Sequence, residues 1–280
     1  MTTFERAQSF NRVVSEYEER RPGYPDAFVD LVLERCDLVE GDHVLEIGCG
    51  PGVATTSMLV RGLVVDAVEP GPDLAARATE RFAGEPFRVA VASFEEWDRA
   101  GRTFDAVIAA TSFHWVDGAV RWRLAAEALK SEGRIILMAN KVLAASSYAD
   151  FVSRVEPLLR AAGMSDLGVA LLDEPTFLAE LREPAEDVAD LWARLDTTQP
   201  VVSAAEYFGP PRVIVQSWRQ SYRADEMVAL LGTYSRYITL DDDSRRELMN
   251  ELRSVIDTTY GGSLERRYLS VAVQATRRES

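Results

Sequence analysis

Val44-Leu45-Glu46-Ile47-Gly48-Cys49-Gly50-Pro51-Gly52 joins a buried-strand pattern to three glycines at spacing two, with a carboxylate two residues before the first of them. A dinucleotide fingerprint reads G-x-G-x-x-G, its last glycine letting a helix N-terminus approach a pyrophosphate. Here the third glycine comes one residue early, and no lysine follows as it would in a phosphate-binding P-loop. A tight turn after a first strand needs free backbone dihedrals, and no Cβ where a ligand lies against the main chain. Glu46 stands at the carboxyl end of the strand, where it can reach a bound amine directly or through water. The same glycines also suit an ordinary strand-to-helix turn, so the segments that follow decide.

A second strand, Leu63-Val64-Val65-Asp66-Ala67-Val68, is closed by Glu69, about twenty residues after the glycines, where a ribose-binding acid is expected. One carboxylate with two acceptor oxygens suits two vicinal hydroxyls. Pro70, Gly71 and Pro72 then turn the chain, and Asp73 is expected to cap a helix from Leu74 to Phe82. A third strand, Phe87 to Ala92, ends at Ser93-Phe94, placed to hydrogen-bond and cover an adenine. A fourth, Phe104 to Ala110, runs into Thr111-Ser112-Phe113-His114-Trp115-Val116-Asp117.

In this order the motifs resemble the class I S-adenosylmethionine-dependent methyltransferases, over about the first half of the chain. Tyr17 with Arg21-Pro22-Gly23-Tyr24-Pro25, together with Phe113-His114-Trp115, is similar to a small-molecule branch that includes trans-aconitate methyltransferases and bacterial natural-product enzymes. The resemblance implies an α/β fold, a Rossmann-like seven-stranded sheet with a helical cap inserted after strand five. It implies S-adenosylmethionine as cofactor, held by Tyr17, Glu46, Gly48, Cys49, Gly50, Gly52, Glu69, Pro70, Ser93, Phe94, Thr111, His114 and Trp115. The acceptor it implies is a small molecule, a carboxylate or a secondary metabolite, meeting Tyr24 and His114, and no metal is expected.

Composition narrows the partners. The 280 residues, 47% apolar, suffice for one large α/β domain with an inserted cap, or for two closely packed lobes. No run of about 18 apolar residues spans a bilayer, and the first residues lack the apolar centre of a signal peptide. Cys36 and Cys49 have no zinc-ligand spacing and read as reduced thiols of a cytoplasmic protein. A net charge of -14, without a basic aromatic-interleaved stripe, argues against nucleic acid and anionic membranes as partners. Lys130 and Lys141 are the only lysines, which we read as the codon bias of a GC-rich genome. A monomer or homodimer is expected.

Four parts are expected along the chain. Residues 1–25 form an N-terminal arm or lid, 26–142 the cofactor-binding core, 143–211 a helical substrate cap, and 212–280 the completion of the sheet. Asp26 is expected to cap a helix carrying Phe28, Leu31, Val32 and Cys36 at helical spacing. A fifth strand covers Arg134 to Asn140. Roughly seventy residues then intervene, far more than a crossover needs, with Phe151, Val155, Leu158 and Leu159 marking one helix face and Val188, Leu191, Trp192 and Leu195 another. Val213 to Trp218 reads as strand six, Asp225 to Ser235 and Ser244 to Thr258 as helices, and Arg267 to Ala275 as strand seven.

His114 follows strand four at the carboxyl edge of the sheet, where ligands bind in open α/β folds. Its near-neutral titration suits a base, and its position equally suits a pocket wall. Tyr17 and Tyr24 either close over the cofactor or anchor the arm. Trp97, Trp122, Trp192 and Trp218 read as packing groups, and Asp241-Asp242-Asp243 as an N-cap with favourable dipole charge rather than a metal cluster. Arg212, Arg219 and Arg223 could meet a carboxylate, though surface ion pairs are their default. A binding protein or cyclase that holds the same cofactor without transferring methyl remains open, because such motifs report binding and not turnover. A nicotinamide-dependent oxidoreductase is disfavoured by the glycine spacing.

Overall fold

The computed structural model describes residues 22–196 and 198–279. Tyr17 and most of the expected arm therefore lie outside the described residues. The first elements are α1 (Asp26–Arg35), β1 (His43–Ile47), α2 (Val53–Leu59), β2 (Val64–Glu69), α3 (Pro72–Arg81), β3 (Phe87–Val91) and β4 (Phe104–Ala110). A single 3-10 turn, Phe113–Trp115, leads to α4 (Arg121–Ala128) and β5 (Leu129–Leu143). Then come α5 (Ser146–Ala161), β6 (Leu171–Leu172), α6 (Glu174–Arg182), α7 (Val188–Ala193), β7 (Arg212–Arg223), α8 (Ala224–Gly232), α9 (Ser235–Ile238), α10 (Asp242–Thr259) and β8 (Ser263–Thr276).

The strands form one mixed sheet in the order β3-β2-β1-β4-β5-β8-β7. The first five are parallel to one another, and β8 runs antiparallel to both β5 and β7. The sheet holds eight strands rather than the expected seven, because β6 pairs with the far end of β5 at Val142 and Leu143. Strand order reverses between β1 and β4, so their carboxyl ends diverge into a crevice.

Alternation along the strands divides the core. Leu45, Ile47, Val107, Ala109, Ile135, Leu137, Val271 and Val273 face one side and pack with residues of α4, α6 and α7. Val44, Val65, Ala106, Ile108, Ile136, Met138 and Ala272 face the other, under α1 and α2. A third cluster joins Val142, Tyr222, Leu264 and Tyr268 to α5, α8 and α10. It exists because β5, β7 and β8 are 15, 12 and 14 residues long, whereas β1 has only 5. The three long strands project past the carboxyl ends of their short neighbours and carry a lobe that faces the crevice.

Strand five is thus far longer than Arg134 to Asn140. The helices of residues 143–211 also divide, α5 joining the projecting lobe while α6 and α7 join the main core. Two expected caps are displaced. Pro25 and Gly71 occupy the N-cap positions of α1 and α3, and Asp26 and Asp73 fall inside the first turns. Proline at the start of α3 presets the helical φ and leaves its cap to the preceding residue, while the aspartates still meet the positive end of the helix dipole. Asp241 does cap α10, accepting from the Ser244 amide at 2.9 Å.

Asp187 ties α7 to the segment that precedes β7. Its buried carboxylate accepts from the amides of Ala189, Asp190, Ala204 and Ala205 and from the Ser203 hydroxyl, capping α7 and tying down the loop before Phe208. Burial pushes its acidity one way, but these hydrogen bonds prevail and hold the carboxyl below its ordinary range. Asp187→Ala leaves several donors short of an acceptor, and a loss of about 2 to 4 kcal/mol is expected in a urea titration near neutral pH. Because the folded-state value is depressed, this contribution is present above the unfolded carboxyl value of 3.8 and fades as pH falls through the folded one. A cost that stayed constant down to strongly acidic pH would contradict it.

Candidate active site

The crevice opens into a cavity of ≈ 830 Å³. Its floor is the glycine turn after β1. Gly48 has φ +66°, and a Cβ there would stand 2.7 Å from Ser112 Cβ, so a side chain cannot be accommodated where the β1 and β4 turns meet. Ser112 closes the same contact by donating to the Ile47 carbonyl. Gly50 offers open space where its Cβ would be and lines the cavity. Gly52 does not line it. A Cβ at Gly52 would fall 2.2 Å from Phe82 Cε2, so this glycine serves the packing of α2 against the end of α3 rather than a ligand, against expectation.

Glu69 is 5% exposed, and its two oxygens are already oriented. Oε2 accepts from the Gly50 amide at 2.9 Å and Oε1 from the Gly71 amide at 2.8 Å. Burial pushes its carboxyl above the ordinary carboxylate range, and the two amide bonds oppose that rise. Each carboxylate oxygen still has a lone pair to offer. Glu46 is 1% exposed and accepts from Thr55 Oγ1 at 2.5 Å. Burial pushes its carboxyl up to about 7, with the Thr55 bond lowering it and the Glu69 charge raising it further. Burial, with the charges of Glu46 and Glu69, keeps the Cys49 thiol protonated, so it packs and does not react.

The remaining walls come from several elements. Tyr24, Pro70, Ser93, Phe94, Thr111, His114 and Trp115 all line the cavity, with Glu95, Glu96 and Asp117 near the turns after β3 and β4. Thr111 has φ +58°, uncommon for a β-branched residue, and its hydroxyl lies 3.3 Å from that of Tyr24. The His114 carbonyl accepts from Gln199 Nε2 at 2.6 Å, and its ring leans on Trp115 with centres 4.8 Å apart. Phe94 is mostly buried and leans toward Trp97, centres 6.4 Å apart.

Asn140, Val142, Gly168, Val169, Tyr234 and Tyr268 also line the cavity, and none of them was expected. Asn140 and Tyr268 lie on the projecting halves of β5 and β8, which no local motif marks. Asn140 donates to the carbonyls of Pro22 and Gly23 and accepts from Ser270, whose hydroxyl also receives the Trp218 indole N–H. Trp218 is thus a packing and anchoring group, stacked on Tyr268 at 4.5 Å. Arg219 and Arg223 form exposed ion pairs away from the cavity. Among the described residues no cluster of potential metal ligands occurs, and no helix is long and apolar enough to cross a membrane.

Residues 44–133 match a family model described as a methyltransferase domain. An uncharacterized methyltransferase of Mycobacterium tuberculosis is 35% identical over 133 residues, 47% of this chain and 52% of that relative. The match thus spans about half the length of that curated relative. A putative type II methyltransferase from Anaeromyxobacter dehalogenans superposes with a TM-score of 0.54 at 20% identity, covering 92% of this chain and 97% of the other. A Haemonchus contortus phosphoethanolamine N-methyltransferase, solved with phosphomonomethylethanolamine and S-adenosylhomocysteine, gives 0.50 at 15% identity, covering 99% and 59%. These likenesses place the chain in a Rossmann-like α/β fold shared with methyltransferases.

The Glu46 carboxyl gives the site a pH signature. Between its unfolded value of 4.5 and its folded value of about 7 the native state holds the extra proton, so stability falls as pH rises across that window. Glu46→Gln removes this slope. The melting temperature of the variant, relative to the parent, should climb from about pH 5 to about pH 8. A difference that shrinks over the same interval would mean that Glu46 is ionised in the folded protein.

Proposed function

We propose that this protein transfers a methyl group from S-adenosylmethionine to a small-molecule acceptor. The observation that carries the reading is the Glu69 carboxylate, pinned between the Gly50 and Gly71 amides at the wall of the cavity. Such a group suits a ribose diol, and the open space at Gly50 lets a ligand lie against the main chain. The residues present therefore fit the cofactor. Glu69 would hold its ribose, Glu46 its amine, and Ser93 with Phe94 its adenine. Tyr24, Thr111 and Trp115 would flank it. Bound there, the cofactor supplies a methyl carried on a sulfonium.

The protein's own work is orientation and the exclusion of water. Aligning two reactants in this way can contribute on the order of 7 to 11 kcal/mol. Trp115 and Tyr24 present aromatic faces to a positive centre. His114, at the cavity wall with its carbonyl held by Gln199, would take a proton from the acceptor or orient its hydroxyl or nitrogen. The net charge of -14 and the cavity of ≈ 830 Å³ support a small acceptor over a nucleic acid. Of residues 143–211, the segment around Gly168 and Val169 acts in this reading on the acceptor side, since it reaches the cavity wall.

Calorimetry with S-adenosylhomocysteine tests the cofactor assignment. Glu69→Ala should weaken it roughly ten- to a hundredfold, the cost of about 1 to 3 kcal/mol for hydroxyls that lose their acceptor. Gly50→Val should abolish binding while circular dichroism stays native, because the β-branched side chain projects into the cavity at a positive φ. Unchanged affinity in folded Glu69→Ala would remove the ribose assignment. His114→Asn should lower turnover by about 10² or more with cofactor affinity kept, if the imidazole moves a proton. A screen with labelled methyl cofactor measures transfer itself. Binding without any transfer of label would make this a protein that holds the cofactor for another purpose.

A further inference from the structure

Arg266, on β8, is fully buried in the projecting lobe. Its Nη1 donates to the Tyr234 hydroxyl at 3.1 Å, and its guanidinium carbon lies 4.7 Å from the Tyr148 ring centre and 5.2 Å from that of Tyr268. Nε and Nη2 have no hydrogen-bond partner among the described residues. The Tyr148 and Tyr237 hydroxyls are buried without one as well. Besides its burial, the strongest influences on this guanidinium come from Tyr148, Tyr234 and Tyr268.

An arginine remains protonated in proteins, and a buried charge is ordinarily paired because its desolvation is otherwise uncompensated. Nε and Nη2 form one edge of the planar guanidinium, the edge that accepts a carboxylate through two parallel N–H bonds. Aromatic faces lessen the cost of the charge, but they do not occupy that edge.

The position of this charge is informative. Tyr234 and Tyr268 line the cavity, so Arg266 stands one side chain behind its wall. The cavity also carries Glu46, Glu69, Glu95, Glu96 and Asp117, at the carboxyl ends of β1 and β2 and in the turns after β3 and β4, which the sheet order separates from Tyr268 on β8 by β5. The two ends therefore differ in sign, acidic around the glycine turn and cationic behind the tyrosines. In a site of low dielectric such a difference selects the orientation of whatever binds.

We propose that Arg266, with Tyr234 and Tyr268 in front of it, is the recognition site for a carboxylate on the acceptor. This rests on the methyl-transfer reading, whose cofactor occupies the acidic end. The carboxylate is a handle that fixes the acceptor across the cavity from the glycine turn. Neutral and cationic acceptors leave Arg266 without a counter-charge and are discriminated against.

The test uses the full chain saturated with S-adenosylhomocysteine. Aryl and alkyl carboxylates, each paired with its own carboxamide, are titrated calorimetrically. Carboxylates are expected to bind and their carboxamides not. Arg266→Met should weaken carboxylate binding about thirtyfold or more, with S-adenosylhomocysteine affinity within about twofold of the parent. Its melting temperature should hold or rise, because no ion pair is lost. Tyr234→Phe should weaken the same carboxylates about three- to tenfold, and it decides the matter if Arg266→Met does not fold. Equal binding of carboxamides, binding by no member of the set, full affinity in Arg266→Met, or full affinity in Tyr234→Phe would each overturn the proposal while the cofactor reading stands. Failure of S-adenosylhomocysteine to bind would overturn both.

Discussion

The cavity depends on one buried carboxylate. Glu69 ends β2, yet its oxygens are spent on the backbone of two different turns, Gly50 after β1 and Gly71 before α3. Neither turn has a side chain at that point with which to anchor itself. The carboxylate therefore supplies the cross-link that adjacent strands provide elsewhere in the sheet. Two charge-assisted bonds offset part of the cost of burying it. They also fix its direction, so that any ligand diol meets an acceptor already positioned. Loosening this one group would free the glycine turn and the start of α3 together.

A second constraint is strand length. Parallel β1, β2 and β4 end where the crevice begins, whereas β5, β7 and β8 continue. The continuation requires its own apolar cover, which α5, α8 and α10 supply. The cavity is therefore lined partly by sheet, at Asn140, Val142 and Tyr268, and partly by turns. The sheet wall is stiffened by backbone ladders and by the chain of hydrogen bonds from Trp218 through Ser270 to Asn140. The turns hold their shape through long-range side-chain bonds, such as Gln199 to the carbonyls of His114 and Val116.

The glycine turn, Glu69, Ser93-Phe94 and the segment after β4 were legible in the sequence because each follows its strand directly. Hydrophobic runs locate the strand ends, and open α/β sheets bind at those ends. Gly52, expected with them, does not line the cavity, for a reason the same logic hides. Its spacing matches its neighbours, but the contact that demands glycine is with Phe82, thirty positions away in sequence. Likewise Ser131-Glu132-Gly133 looks like a turn, yet it lies inside β5. The projecting lobe was the least legible part. Arg266 sits in a run of charged residues, Glu265-Arg266-Arg267, in which pattern alone cannot say which side chain turns inward. Pairing settles it, since Leu264, Arg266 and Tyr268 share one face of β8 and only Arg266 among those charges is buried.

That face also shows what the site costs. An apolar residue at position 266 would pack beside Tyr148 and Tyr268 without the desolvation of a guanidinium, and the lobe would hold as well or better. Glu46 presents the same bargain in the opposite sign, a carboxyl buried so deeply that its proton competes with its charge near neutrality. Both residues weaken the empty fold. They stand at opposite ends of one cavity, the first behind Tyr268 and Tyr234 and the second beneath the glycine turn. Burying a charge against folding is explained when a ligand provides the missing partner, because binding then recovers what folding gave up. The two ends favour partners of opposite charge, so a ligand that carries both signs has one orientation in the cavity.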